Sequence, residues 1–231
     1  MVESDLLAAA LRRDFASIET SDAPEWHTEP AIRVIDCVLS LNRHYDRFVV
    51  PRRNELAMRR PELHTVSQLR DLIAQHASPE AFLQEELRYR HPSRARTLVA
   101  VVDFLLDVAR DYSGGSELDR LEAWAKDARP RDYLGLAIPG FGLAGFQYLR
   151  MLFGAQTTKP DLHVRRYVQG VVGGRVTDVK ALYLLEGAAR LAEVPLRQLD
   201  AKIWERGARG KVQGRRRTGR AGGRARRSEG S

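Results

Sequence analysis

Apolar residues recur at three- and four-residue spacing along most of this chain, and that period predicts helices almost throughout. No alternating apolar and polar run bounded by turn dipeptides reads as a strand, so the expected class is all-α. The clearest helix begins after His91-Pro92-Ser93, with Ser93 as N-cap. It repeats apolar residues at Leu98, Val101, Val102, Leu105, Val108, Ala109 and Tyr112, then stops at Gly114-Gly115. Ser116 opens the next, with Asp119 three residues on completing a capping box and Leu118, Leu121, Trp124 and Ala125 sharing one face. Upstream, the pattern predicts a first helix near the amino terminus, then Ile32–Leu41, Tyr45–Met58 with a kink or entry at Pro51, Thr65–Gln75 and Pro79–Arg88. Downstream come Arg131–Ala137, Gly142–Phe153, Leu162–Val172, Thr177–Leu191 and Pro195–Arg206. Connections are short and no repeat of fixed period appears, so residues 1–206 are expected to form one helical body.

Composition narrows the class without naming a function. The 231 residues are 43% hydrophobic and 29% charged, which suits a globular chain with a core. The longest aliphatic run, Leu98–Val102, is far short of the roughly 18 residues that span a bilayer, so no membrane partner is expected. A single cysteine, Cys37, allows neither an intramolecular disulfide nor a thiolate cluster for zinc or iron–sulfur, which fits a reducing cytoplasm. The amino terminus carries acids before its apolar residues and does not read as a secretory signal.

Charge divides the chain more sharply. Residues 207–231 hold nine basic residues, among them Arg215, Arg216 and Arg217, against Glu229, and this net of +8 equals the charge of the whole chain. That segment also holds seven of the 18 glycines and one aliphatic residue larger than alanine, Val212, so it is expected to be a disordered Arg/Gly-rich tail. Either of two roles suits it: electrostatic attachment to a nucleic acid, or solubilisation.

One stretch departs from generic helical patterning: Ile138-Pro139-Gly140-Phe141-Gly142-Leu143-Ala144-Gly145. A proline ends one helix, two glycines one residue apart turn the chain, and a new helix presents unpaired N–H groups. Such an end suits a phosphate, whereas a plain helix–helix turn is the alternative. No strand precedes it, which excludes a Rossmann loop. Downstream stands Lys159-Pro160-Asp161-Leu162-His163-Val164-Arg165-Arg166, with Asp161 placed 21 residues after Gly140.

With both halves at this separation, the sequence resembles the helix-hairpin-helix GPD superfamily of base-excision DNA glycosylases, including endonuclease III-like enzymes. There an L/I-P-G-x-G hairpin is followed about one helix later by an aspartate at a helix start, in a D-x-H-V-x-R context. Val38-Leu39-Ser40-Leu41-Asn42 is similar to the family's L-S-x-Q segment, whose glutamine fills the gap left by the extruded base. Tyr89-Arg90 and Arg94-Ala95-Arg96 resemble its helix leading with a tyrosine and basic residues. The resemblance covers residues from about 30 to about 206.

It implies a two-lobed all-α body that extrudes a nucleotide from double-stranded DNA containing a lesion or mismatch. The hairpin Pro139, Gly140, Phe141, Gly142, Leu143, Ala144 and Gly145 would grip a phosphate, often with a bound alkali ion in the family. Asn42, Arg165 and the tail arginines Arg215, Arg216 and Arg217 would add DNA contacts. Asp161 would stabilise the oxocarbenium-like charge that develops as the N-glycosidic bond breaks, and orient or deprotonate water. Its ordinary alternative is to cap the helix beginning at Leu162. Bifunctional members carry a Schiff-base lysine two residues after the second hairpin glycine. Here that position is Ala144, which points to a monofunctional glycosylase or to a protein that keeps the DNA grip without the chemistry. A monomer without cofactor or iron–sulfur cluster is expected. His163 receives no role. Tyr45, Phe141, Phe146, Tyr148, Tyr167 and Trp204 include candidate walls of a base pocket, although at helical spacing most belong to a core.

Overall fold

Helices supply the regular structure, and no strand occurs among the described residues. The structure is a computed structural model; it describes residues 2–16, 18 and 28–207. The chain divides into two compact units, Pro24–Pro160 and a unit made of Met1–Ala23 with Asp161–Ser231. Each unit has its own hydrophobic cluster.

The unit Pro24–Pro160 is built on α2 (Pro30–Ser40), in which every residue except Arg33 is buried. A helix apolar on all sides must be surrounded. Packed on it, among others, are α4 (Val66–Ala74), α6 (Pro92–Asp111) and α8 (Leu143–Leu152). Further elements complete this unit: α3 (Val50–Arg59), α5 (Pro79–Leu87) and α7 (Glu117–Asp127). The apolar stripe expected on α6 faces inward, with Leu98, Val101, Val102 and Leu105 fully buried beside Ile35, Leu39, Phe82 and Phe146. Each such side chain contributes about 1.5–3 kcal/mol when removed from water. The start of α4 shows why these helices begin where they do. Thr65 and Gln68 form a capping box there, and Glu117 accepts from the free Val66 and Ser67 amides at 2.5 and 3.2 Å.

The other unit joins α1 (Glu3–Asp14) to α9 (Leu162–Val172), α10 (Asp178–Ala192) and a helical stretch over 196–207. Ala8 on α1 and Ala181, Ala188 and Ala189 on α10 are buried small residues, which lets these helices approach closely around Leu7, Leu11, Val164, Val168 and Leu185. Asp14 closes the end of α1 by accepting from Tyr167 Oη at 3.3 Å and pairing with Arg206 Nη1 at 3.0 Å.

Three local expectations are corrected. The N-cap of α6 is His91, whose Nδ1 accepts from the Arg94 amide at 3.1 Å, while Ser93 lies inside the first turn. Proline is pre-organised for the first helical position, so Pro92 sets the start one residue before Ser93. The helix expected over Tyr45–Met58 opens as a π-helical turn, Tyr45–Val49, before α3. Pro51 has no N–H to donate and its ring crowds the carbonyl four residues back, so regular α geometry begins only around it. The segment expected as a helix over Arg131–Ala137 is a 3-10 helix over Pro130–Gly135. The capping box of Ser116 and Asp119 stands as expected, with Asp119 Oδ2 2.8 Å from the Ser116 amide. Of the tail expected to be disordered from residue 207, Gly207 ends the last helical stretch, and 208–231, with Arg215, Arg216 and Arg217, lie outside the described residues.

Candidate functional site

The turn over residues 136–142 joins the 3-10 helix Pro130–Gly135 to α8 and is held from two sides. The Phe141 amide donates to the Ile138 carbonyl at 3.2 Å, closing the turn on itself. Thr97, inside α6, donates its hydroxyl to the Pro139 carbonyl at 2.6 Å and fastens the turn to the unit's core. Side chains then alternate. Phe141, Leu143 and Gly145 are buried, whereas Pro139, Gly140 and Gly142 are exposed and Ala144 is half-buried. The apolar residues anchor the turn and the glycines face solvent.

The three glycines have different physical reasons. Gly140 sits at φ +67°, a conformation that L side chains rarely adopt. Gly145 is required by contact, because a Cβ there would stand 2.9 Å from both Leu41 Cδ2 and Phe141 Cδ2. Gly142 needs neither. Its φ is −91° and a Cβ would meet nothing within 4 Å, which corrects the expectation that its backbone is special. What Gly142 leaves is open space before the first free amides of α8, a place where an anion can approach the backbone.

The Leu41–Arg43 turn adjoins this one in the same unit. Arg94, buried in the first turn of α6, donates Nη2 to the Leu41 carbonyl at 3.0 Å, and Leu41 packs toward Gly145. Asn42 is exposed beyond it at φ +58°. Asparagine tolerates the left-handed region better than most residues, and here the conformation places its side chain outside the core. The Asn42 turn and the glycine turn are thus bound to one scaffold, the start of α6.

Asp161, first residue of the other unit's second segment, is the N-cap of α9. Its Oδ1 accepts from the His163 and Val164 amides at 2.7 and 3.2 Å. Oδ2 has no hydrogen-bond partner among the described residues, and the side chain is half-buried. One oxygen is committed to the helix and the other is available for chemistry. Arg165 pairs with Asp178 at 3.1 Å on the neighbouring α10, so its guanidinium is already engaged. His163 lies edge-on to Trp204, with ring centroids 6.3 Å apart, in a structural contact.

Sequence reading missed the main buried polar cluster. Asp36, 2% exposed on α2, accepts from Tyr45 Oη and Tyr148 Oη at 2.7 Å each and from Arg53 Nη1 at 2.5 Å. Burial first, and then the Asp36 charge, push the Tyr45 phenol up to about 12; the same causes raise Tyr148. Lys159 lies with Nζ 4.0 Å from the Tyr148 ring centroid and 3.3 Å from Ser40 Oγ. With three donors on its carboxylate, Asp36 is a brace joining α2, the π-helical turn, α3 and α8. The available signal was a lone carboxylate inside Val34-Ile35-Asp36-Cys37-Val38, where only a specific partner set makes burial tolerable. Tyr45 and Tyr148, expected as candidate pocket walls, belong to this brace, and Phe141 and Phe146 to the core. Burial pushes the Cys37 thiol far up, so that thiol is inert.

Among the described residues no cluster of three or more metal-ligating side chains occurs, and no helix is long and apolar enough to cross a membrane. Residues 7–208 match the model of a domain of unknown function, DUF8548. No curated protein and no solved structure matches the chain.

Proposed function

For this chain, which belongs to the DUF8548 family, we propose a DNA base-excision function: a monofunctional glycosylase that hydrolyses the N-glycosidic bond of a damaged or mismatched base. The observation that carries the reading is the division of labour on Asp161, with Oδ1 spent on the α9 cap and Oδ2 without a partner among the described residues. The glycine turn supports the DNA half of the reading, since Gly140 and Gly142 expose backbone at the start of α8 while Phe141 and Leu143 anchor it.

The chemistry follows from the bond to be broken. A base inside a duplex is out of reach, so the nucleotide is extruded and the gap filled, a task for the exposed Asn42. As the base leaves, positive charge grows on the deoxyribose. The Asp161 carboxylate stabilises that charge and takes a proton from the attacking water. Ala144 offers no amine at the hairpin position, so hydrolysis ends at an abasic site with the strand intact. No cofactor enters this scheme. An alkali ion at the turn would act on phosphate binding alone.

Base release is tested on duplexes bearing alkylated, deaminated, oxidised or mismatched bases, followed by hot alkali to cut abasic sites. Cutting that requires alkali is the expected result. Cutting without alkali contradicts the monofunctional assignment, and silence across the panel contradicts the enzyme. A second reading, a catalytically silent DNA-binding protein, is favoured by the complete capping role of Asp161 Oδ1. It predicts retained binding to an abasic-analogue duplex with no base release.

A further inference from the structure

Beside the Asn42 turn, the unit Pro24–Pro160 carries a ladder of guanidinium and aromatic planes. Arg52 Cζ lies 4.0 Å from the Phe48 ring centroid. The Phe48 and Tyr89 rings meet edge to face at 4.8 Å. Arg43 Cζ lies 5.6 Å from both of these rings, and its Nη2 donates to Tyr89 Oη at 3.0 Å. Phe48 is half-buried and Tyr89 buried, whereas Arg43 is exposed, so the guanidinium forms the outermost rung.

Basic side chains gather near this ladder in the sequence. Several arginines elsewhere in the unit pair with carboxylates, among them Arg59 and Arg60 on Glu86, Arg70 on Asp103, Arg88 on Glu55 and Arg110 on Asp107, while Arg94, Arg120 and Arg150 donate to backbone carbonyls. Arg43, together with the exposed Arg47, Arg90 and Arg96, pairs with no carboxylate among the described residues. Arg47 adjoins Phe48, and Arg90 adjoins Tyr89. Arg96 precedes Thr97, which holds the glycine turn. Cations without a carboxylate partner near an exposed guanidinium that is seated on aromatic rings match a nucleic-acid strand, which supplies both phosphates and π faces.

We propose that Arg43, seated on Phe48 and Tyr89, is a stacking platform for an unpaired nucleobase of DNA, with the strand's phosphates on Arg47, Arg90 and Arg96. The platform rests on the DNA-binding reading above and adds the feature recognised: a base without a partner in the duplex. A guanidinium is planar and stacks on π faces as an ammonium cannot. The Tyr89 hydroxyl and the Phe48 and Tyr89 rings already hold this guanidinium, so less ordering remains for the moment of binding. The rung lies one residue from Asn42, where a side chain entering the stack would leave a base unpaired.

The test uses the full chain and two duplexes of equal length, one fully paired and one with a single bulged 2-aminopurine. Wild type is expected to bind the bulged duplex on the order of tenfold tighter and to quench its fluorescence by stacking. Arg43→Lys keeps the charge and loses the plane, so it should lose both the preference and the quenching while still binding the paired duplex. Arg47→Gln should weaken both duplexes alike and lower the salt slope by about one. Preference and quenching that survive Arg43→Lys overturn the platform, as does wild type binding both duplexes equally. Failure of folded wild type to bind either duplex overturns the DNA reading as well. Urea midpoints of the variants guard against unfolding.

Discussion

The glycine turn assigns a separate cause to each of three similar residues, and substitution by alanine separates them. Gly140→Ala should cost about 1 kcal/mol through backbone strain at φ +67°. Gly145→Ala forces Leu41 and Phe141 apart and should cost about 1–3 kcal/mol. Gly142→Ala meets nothing and should change stability by less than about 0.5 kcal/mol, yet weaken duplex binding if that open space receives a phosphate. Urea denaturation and a duplex titration on the same three variants measure both quantities. Equal stability losses at all three positions would contradict this assignment. The glycine spacing was legible in the sequence because it is local. Which glycine is needed for conformation and which for contact was not, since Gly145 answers to Leu41, a residue far away along the chain.

Among the elements, two buried carboxylates join helices, and the clusters around them shape opposite limbs of the pH profile through Tyr45 in one and Glu86 in the other. Asp36 ties α2 to the π-helical turn, α3 and α8. Asp36→Ala should cost about 3–5 kcal/mol, because Arg53 and two phenols lose their shared acceptor. The raised phenols also give an alkaline limb. In the unfolded chain Tyr45 ionises near 10, and in the fold at about 12. Below 10 its contribution is fully present; as pH rises through this window the folded state holds the extra proton, so stability falls. Urea midpoints measured from pH 9 to 12 should decline, and less steeply in Tyr45→Phe. Glu86 acts at the other end. Burial raises its carboxyl, but hydrogen bonds and charge from Arg60 and Arg59 outweigh that and hold it below the usual value. Its contribution is present above the ordinary carboxylate pKa and is lost as pH falls through the lowered one. Glu86→Gln should therefore flatten the acid limb of the same curve. These pairs mark the limit of sequence reading. Ser116 and Asp119 were identifiable because a capping box spans four residues, whereas Tyr148 meets Asp36 from 112 positions away. The displaced N-cap of α6 has a similar explanation: His91 and Ser93 are both able to cap, and the fixed φ of Pro92 chooses between them.

For the whole molecule, the all-helical class followed from a period repeated across many segments, and so it did not depend on any single boundary. The division into two units did not follow from that period, because the unit that holds Asp161 draws α1 from the opposite end of the chain. Charge adds a prediction at this scale. Removing residues 208–231 takes away nine basic residues and one acid, leaving a near-neutral chain. Duplex binding by the truncated protein should depend less steeply on salt, while its preference among lesions stays unchanged. Identical salt slopes with and without the segment would leave solubilisation as its role. At Asp161 one substitution separates capping from catalysis, since asparagine caps a helix about as well as aspartate and carries no charge. Single-turnover base release by wild type and Asp161→Asn, on the duplex the wild type cuts best, is the direct measurement. If Asp161 is the catalytic carboxylate, release falls by at least about a hundredfold in the variant while the thermal midpoint and duplex binding are retained. Equal rates in the two proteins would contradict that role.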